Sequence, residues 1–257
     1  MTEADAGTAP SDGSAGRPWS GGGREELAAT IRRLATLCVT ANPPPGVLPD
    51  VARQLEAVAD ELAQAVPPPD ATPRGRYAEG GEESDSPGVF SLATAMPFDM
   101  IIGACNPLAP PLVLELDPPM ARGRVTFAPP FEGAPGCVHG AALAAVFDIM
   151  LTAANVIAGA AGPTVELRLR YRKPTLIDRP ADFEASVASV DGRRTHTSGR
   201  LVQDGVVTVE ADGEFVALPP DRLDVLHRMA SSRRRAKEVA GGEGEGEIDP
   251  PAETDEP

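Results

Sequence analysis

The chain has 257 residues, a formal net charge of −15 and 42% hydrophobic residues, enough for one folded domain plus further segments. Its acidity is unevenly placed: residues 24–66 carry −2 and residues 90–237 carry zero, which leaves −13 for the remaining stretches. This argues against a general nucleic-acid binder, where clustered excess positive charge would be expected.

Three cysteines, Cys38, Cys105 and Cys137, are scattered and odd in number. No disulfide framework or zinc ligand set is expected, and the pattern fits a reducing cytoplasm. The opening Met-Thr-Glu-Ala-Asp-Ala-Gly has neither a basic start nor an apolar run, so a secretory leader is not expected. Phosphate-binding glycine loops and dinucleotide fingerprints are missing from the sequence, and no cofactor is expected.

In chain order, residues 1–23 are rich in Gly, Ser and acidic side chains and read as a disordered tail. Residues 24–66 read as an amphipathic helical hairpin. Its first arm carries Leu27, Ile31, Leu34 and Cys38 at helical spacing. Asn42-Pro43-Pro44-Pro45-Gly46 stops that arm, and Val51, Leu55, Val58 and Leu62 repeat the stripe with Asp50 as N-cap. The stripe is expected to dock on the main domain, with a partner-binding or lid role as the alternative. Residues 67–89 read as a disordered linker, residues 90–220 as the main domain, and residues 221–257 as a short helix followed by an acidic disordered tail.

Within the main domain an irregular, Pro-rich lead-in over residues 97–111 precedes a hairpin, residues 112–117 and 122–128, around Pro118-Pro119. From Gly136 to Gly159 the chain is apolar or small for about five helical turns after His139-Gly140. Gly159 sits where a C-cap glycine belongs. Without a polar face, this helix is expected to be wrapped on all sides. Its length would just reach a membrane span, but the mid-segment Asp148 and the lack of basic flanks argue against one. Residues 164–172 alternate strictly, with Val165, Leu167, Leu169 and Tyr171 on one face and Glu166, Arg168, Arg170 and Arg172 on the other. Residues 181–190, 194–203 and 206–218 follow as strands, joined at Asp191-Gly192 and Asp204-Gly205. One long helix followed by an antiparallel meander predicts an α+β fold with the sheet curled around the helix.

Three stretches carry a family resemblance. Gly136-Cys137-Val138-His139-Gly140-Ala141, with Asp148 nine residues after His139, resembles the His-Gly-Gly and helix-Asp signature of hotdog-fold acyl-CoA thioesterases in their PaaI-like branch. Phe131-Glu132-Gly133-Ala134-Pro135-Gly136 and Leu169-Arg170-Tyr171-Arg172-Lys173-Pro174 resemble the thioesterase-superfamily-member-4-like group. The likeness covers roughly residues 97–218. It implies a hotdog fold, hydrolysis of an acyl-CoA thioester, and a homodimer or dimer of dimers. Two positions depart from the pattern: Ala141 stands for the second glycine, and Gly133 stands where some relatives carry Asn or Gln.

Thioester hydrolysis needs a positioned water or nucleophile, a carboxylate near it, and a donor for the developing oxyanion. The Gly140 N–H, at the positive end of the helix dipole, is the expected donor. Ala141 is expected beside it at the substrate, and His139 would orient the turn or bond the carbonyl. Asp148 would be base or nucleophile; both assignments stay open. The resemblance places Thr164 where a hydroxyl holds the water. Arg170, Arg172 and Lys173, with Arg193 and Arg194, are candidates for the coenzyme A phosphates. Phe147, Met150 and residues 96–102 are candidates for the acyl path. The alternative function is a non-catalytic hotdog module that binds acyl-CoA or acts as a scaffold. Eight residues separate Gly140 from Asp148, about 12 Å of helix, so the site is expected to be shared between two chains.

Overall fold

The computed structural model describes residues 23–66 and 96–217. The expected tails, the linker and the C-terminal helix lie outside the described residues. Two helices come first, α1 (Arg24–Thr40) and α2 (Val47–Ala63). The hairpin β1 (Val113–Asp117) and β2 (Met120–Thr126) leads into α3 (Gly140–Ile157), and β3 (Thr164–Tyr171), β4 (Pro180–Asp191), β5 (Arg194–Gln203) and β6 (Val206–Val216) complete the chain. The six strands form one antiparallel sheet in the order β1-β2-β4-β5-β6-β3. It wraps around α3, which is the hotdog arrangement that the resemblance implies.

The ends of α3 are written in its sequence. His139 is the N-cap, and its Nδ1 accepts from the Ala141 N–H at 3.0 Å. At the other end Gly159 takes φ 65°, while its N–H and that of Ala160 return to Val156 and Asn155 carbonyls. That is a Schellman stop, which a residue with a Cβ would strain. Asp204-Gly205 likewise takes positive φ at both positions, the two-residue turn that suits a twisted hairpin.

Helix and sheet meet along a trough of small residues. A Cβ on Gly123 would lie 2.6 Å from Met150 Sδ, and one on Gly213 would lie 2.8 Å from Leu151 Cδ1. The same construction on Gly199 approaches Leu151 and Phe147. Phe147 and Phe183 pack edge to face at 5.0 Å between centroids. Ile101, Ile102 and Leu112 from the lead-in join this core.

The core covers only part of α3. Leu143, Val146, Phe147, Met150, Leu151, Ala153 and Ala154 are buried, but Ala141 is exposed and Ala144, Ala145, Asp148 and Thr152 are partly open. The expectation of a helix wrapped on all sides is therefore corrected: one flank, built of small residues, is uncovered within a single chain. The helix has the length and apolarity of a membrane span, yet its large side chains are committed to the sheet.

The N-terminal helices also differ from expectation. α1 docks through Ala28, which is buried, and through Arg32, which donates to the Asn106 carbonyl at 2.8 Å. Leu27, Ile31 and Cys38 of the expected stripe remain exposed. α2 begins at Val47 behind the N-cap Gly46, a turn earlier than Asp50 suggested, and has no buried residue. The local sequence sets each helix, but burial of its stripe depends on a surface elsewhere.

On the side of the sheet away from α3, charges alternate along one register row: Glu115, Arg122, Glu184, Arg200, Glu210 and Arg170. Glu184 sits between two guanidinium groups, at 2.7 Å from Arg122 Nη1 and 2.7 Å from Arg200 Nη2. Arg200 first, then Arg122, hold its carboxyl below the usual carboxylate range. Because the folded-state value is depressed, this stabilisation is full above the ordinary carboxylate pKa and is lost as pH falls through the folded-state value. Glu184→Gln is expected to cost roughly 1 kcal/mol at pH 7. Melting curves of both proteins at pH 7 and pH 3.5 check this: the gap should narrow in acid.

Candidate active site

The turn before α3 is fastened from several directions. Val138 N–H donates to Thr175 O, Ile177 N–H to Gly136 O, and His139 N–H to Phe131 O, all between 2.8 and 3.1 Å. Gln203 in turn holds the 176–180 segment through the Leu176 N–H and the Leu176 carbonyl. The Glu132 carboxylate accepts the Gly136 N–H, closing the Glu132–Gly136 loop at a glycine with φ 73°. Glu132 was not singled out from sequence as a loop holder; an acidic residue four positions before a glycine in a Pro-containing loop is the signal that marks it.

This scaffold decides what the helix N-terminus offers. The Ala141 N–H is taken by His139 Nδ1, and the Ala142 and Leu143 N–H groups turn to the His139 carbonyl at 3.0 and 3.3 Å. The Gly140 N–H has no acceptor among the described residues. It stands at the positive end of the α3 dipole, and the sequence reading pointed to it as a donor. With Nδ1 accepting, Nε2 is the ring nitrogen that would carry the proton. His139 thus orients the turn.

Nine residues further along, Asp148 lies on the open flank of α3, and the Thr164 hydroxyl donates to its Oδ1 at 2.6 Å. The two residues that the resemblance pointed to come together. Strict alternation would have kept them apart, since Thr164 shares parity with Glu166 and Arg168 on the outer face. A bulge between Thr164 and Glu166 resets the register, turns Thr164 towards the helix and leaves Val165 58% exposed. The expectation that Val165 belongs to the inner face is corrected for the same reason.

Gly133 resolves one departure from the family pattern. A Cβ there would lie 2.9 Å from His139 Cα and 3.1 Å from its Cδ2. The loop lies directly against the His139 turn, and no amide side chain fits without moving it. Gly133→Asn is expected to lower the melting temperature and disturb the His139 cap. Calorimetry and the histidine ring signals in NMR check this, and an unchanged protein on both would show that the loop yields freely.

Most of the proposed substrate-binding cations are already engaged. Arg170 pairs with Asp212 at 2.7 Å across β3 and β6, and Arg172, just past β3, with Glu210 of β6 at 2.6 Å; Arg194 pairs with Glu214. Lys173 is exposed and has no carboxylate partner among the described residues. Phe147 and Met150 are fully buried in the core, so neither lines an open acyl path. The sequence pattern could not separate a strand's self-neutralised outer face from a phosphate site, since both read as Arg at alternate positions.

The thioesterase superfamily model matches residues 135–210, a span that holds His139, Gly140, Asp148 and Thr164. A crystal structure of a thioesterase superfamily protein is 32% identical, covers 81% of this chain and 94% of its own, and superposes with a TM-score of 0.63. The chain belongs to the thioesterase superfamily. Acyl-coenzyme A thioesterase THEM4 of Bos taurus is 28% identical over 96 residues, which is 37% of this chain and 39% of that protein. The matched stretch therefore spans about two fifths of that relative's length.

Proposed function

We propose that this member of the superfamily is an acyl-CoA thioesterase whose site is completed by a second copy of the chain. The observation that carries the reading is the half-open Asp148 carboxylate hydrogen-bonded by Thr164, on the same helix as a Gly140 N–H that has no acceptor among the described residues. The Gly140 N–H polarises the thioester carbonyl and stabilises the oxyanion. Thr164, whose proton is committed to Asp148, keeps oxygen lone pairs to accept from a water molecule. Asp148 then takes that water's proton as it attacks and passes it to the leaving thiolate. Alternatively it attacks the carbonyl itself, expelling the thiolate and forming a mixed anhydride that the water then hydrolyses. Either route breaks the C–S bond and releases free acid and coenzyme A. Lys173, with no carboxylate partner among the described residues, is available to meet a phosphate.

Within one chain the two halves are about 12 Å apart along the helix, and an Asp side chain recovers only about 2–3 Å of that. A twofold axis beside the open, alanine-rich flank of α3 would set Gly140 of one chain against Asp148 and Thr164 of the other. Small residues on that flank allow two such helices to approach closely.

Asp148→Asn is expected to lower kcat for acyl-CoA hydrolysis at least about 100-fold with folding retained, since a positioned base contributes about 10²–10⁴-fold. Thr164→Ala should cost less. A thiol-release assay over acyl-CoAs of increasing chain length checks both; wild-type turnover by Asp148→Asn would remove the assignment, and binding without turnover by the wild type would leave an acyl-CoA-binding module. For the shared site, an Asp148→Asn chain is mixed with a chain altered at the His139–Gly140 turn. Verified heterodimers should regain activity through one intact site.

A further inference from the structure

We propose that Tyr171 is a positioning residue for the Gly140 donor, an inference that rests on the thioesterase reading above. Its hydroxyl donates to the Gly140 carbonyl at 2.9 Å, from the far end of β3. The ring lies so close that a Cβ on Gly140 would meet the Tyr171 oxygen at 3.1 Å and Cζ at 3.3 Å. Glycine at this position therefore serves the tyrosine as well as the substrate.

The bond matters because of which peptide it holds. The Gly140 carbonyl and the Ala141 N–H belong to one peptide unit. Tyr171 grips the oxygen and His139 Nδ1 grips the nitrogen. The preceding unit is held through the His139 carbonyl, which accepts from Ala142 and Leu143. Its remaining polar group is the Gly140 N–H. With both neighbouring peptide planes fixed, that N–H cannot rotate away from its direction, and donors held in place before reaction stabilise an oxyanion better than mobile ones. Packing around the Tyr171 hydroxyl pushes its pKa above the ordinary tyrosine value, so the group stays a proton donor through neutral pH. Periodicity reads Tyr171 as one more residue of the strand's inner face; it does face α3, but as a residue 55% exposed it lies at the rim of the core.

The test is Tyr171→Phe, which keeps the ring and removes the bond. Hydrolysis of an acyl-CoA should show kcat lowered roughly 3- to 10-fold, the loss of about one hydrogen bond, with KM within about twofold. Amide exchange followed by NMR gives a readout independent of turnover: the Ala141 N–H should exchange faster in the variant while core β5 and β6 amides are unchanged. Unaltered kcat together with unaltered Ala141 exchange overturns the proposal, as does a raised KM at wild-type kcat, which would make Tyr171 a substrate contact. If the wild type hydrolyses no acyl-CoA, the functional reading fails, and the exchange measurement alone decides whether Tyr171 holds the turn.

Discussion

The trough that Gly123, Gly199 and Gly213 cut across β2, β5 and β6 sets how closely α3 lies on the sheet. Burying a Phe, Leu or Met side chain from that helix is worth about 1.5–3 kcal/mol each, and the close approach lets Phe147, Met150 and Leu151 reach full burial. A Cβ at Gly123 or Gly213 would overlap those side chains, and overpacking of a filled core costs about 1–3 kcal/mol. The depth of the helix in the trough fixes which of its flanks stays open. Asp148 lies on the open flank, and so a carboxylate survives in a run of apolar residues with no cation beside it among the described residues: it stays partly open to solvent, and Thr164 donates a hydrogen bond to it.

Strand β3 then fastens that helix to the edge of the sheet at two places. Thr164 at one end holds Asp148, and Tyr171 at the other holds Gly140. Both contacts require inward-facing side chains, yet the two residues are seven apart, an odd number that a regular pleat places on opposite faces. The bulge after Thr164 reconciles them. A single irregularity in β3 is thus what allows one strand to organise both halves of the site.

Much of this was legible in the sequence, and the failures share a cause. Apolar periodicity located every strand and α3 to within about two residues, because burial of one face dictates the pattern. The motif residues His139, Gly140, Asp148 and Thr164 were identifiable through the family resemblance, whose signature sits at a helix start and a strand start. What periodicity cannot convey is an insertion that breaks it, and so Val165 was assigned inward. Nor does it state what a stripe packs against. Leu27 and Ile31 form a faultless helical pattern, yet the docked side of α1 is set by Ala28 and Arg32. The Arg-rich face of β3 was ambiguous for a related reason: the carboxylates that neutralise it lie about forty residues away on β6.

Those ion pairs bear on how the substrate would be bound. Withdrawing Arg170 or Arg172 to serve a phosphate would leave Asp212 or Glu210 without its partner, so any gain at the ligand is offset by a loss on the sheet. Lys173 carries no such debt among the described residues. It follows Tyr171 by two residues, at the end of β3 that reaches the N-terminus of α3. The carbonyl-polarising end of the proposed site and its uncommitted cation therefore share one end of one chain, while the Asp148–Thr164 pair lies toward the other. An acyl-CoA whose phosphates meet Lys173 and whose carbonyl meets Gly140 of the same chain would have its scissile bond beyond reach of that chain's own carboxylate. In the proposed twofold dimer the second copy supplies the carboxylate, and each chain then binds with one end of its helix and hydrolyses with the other.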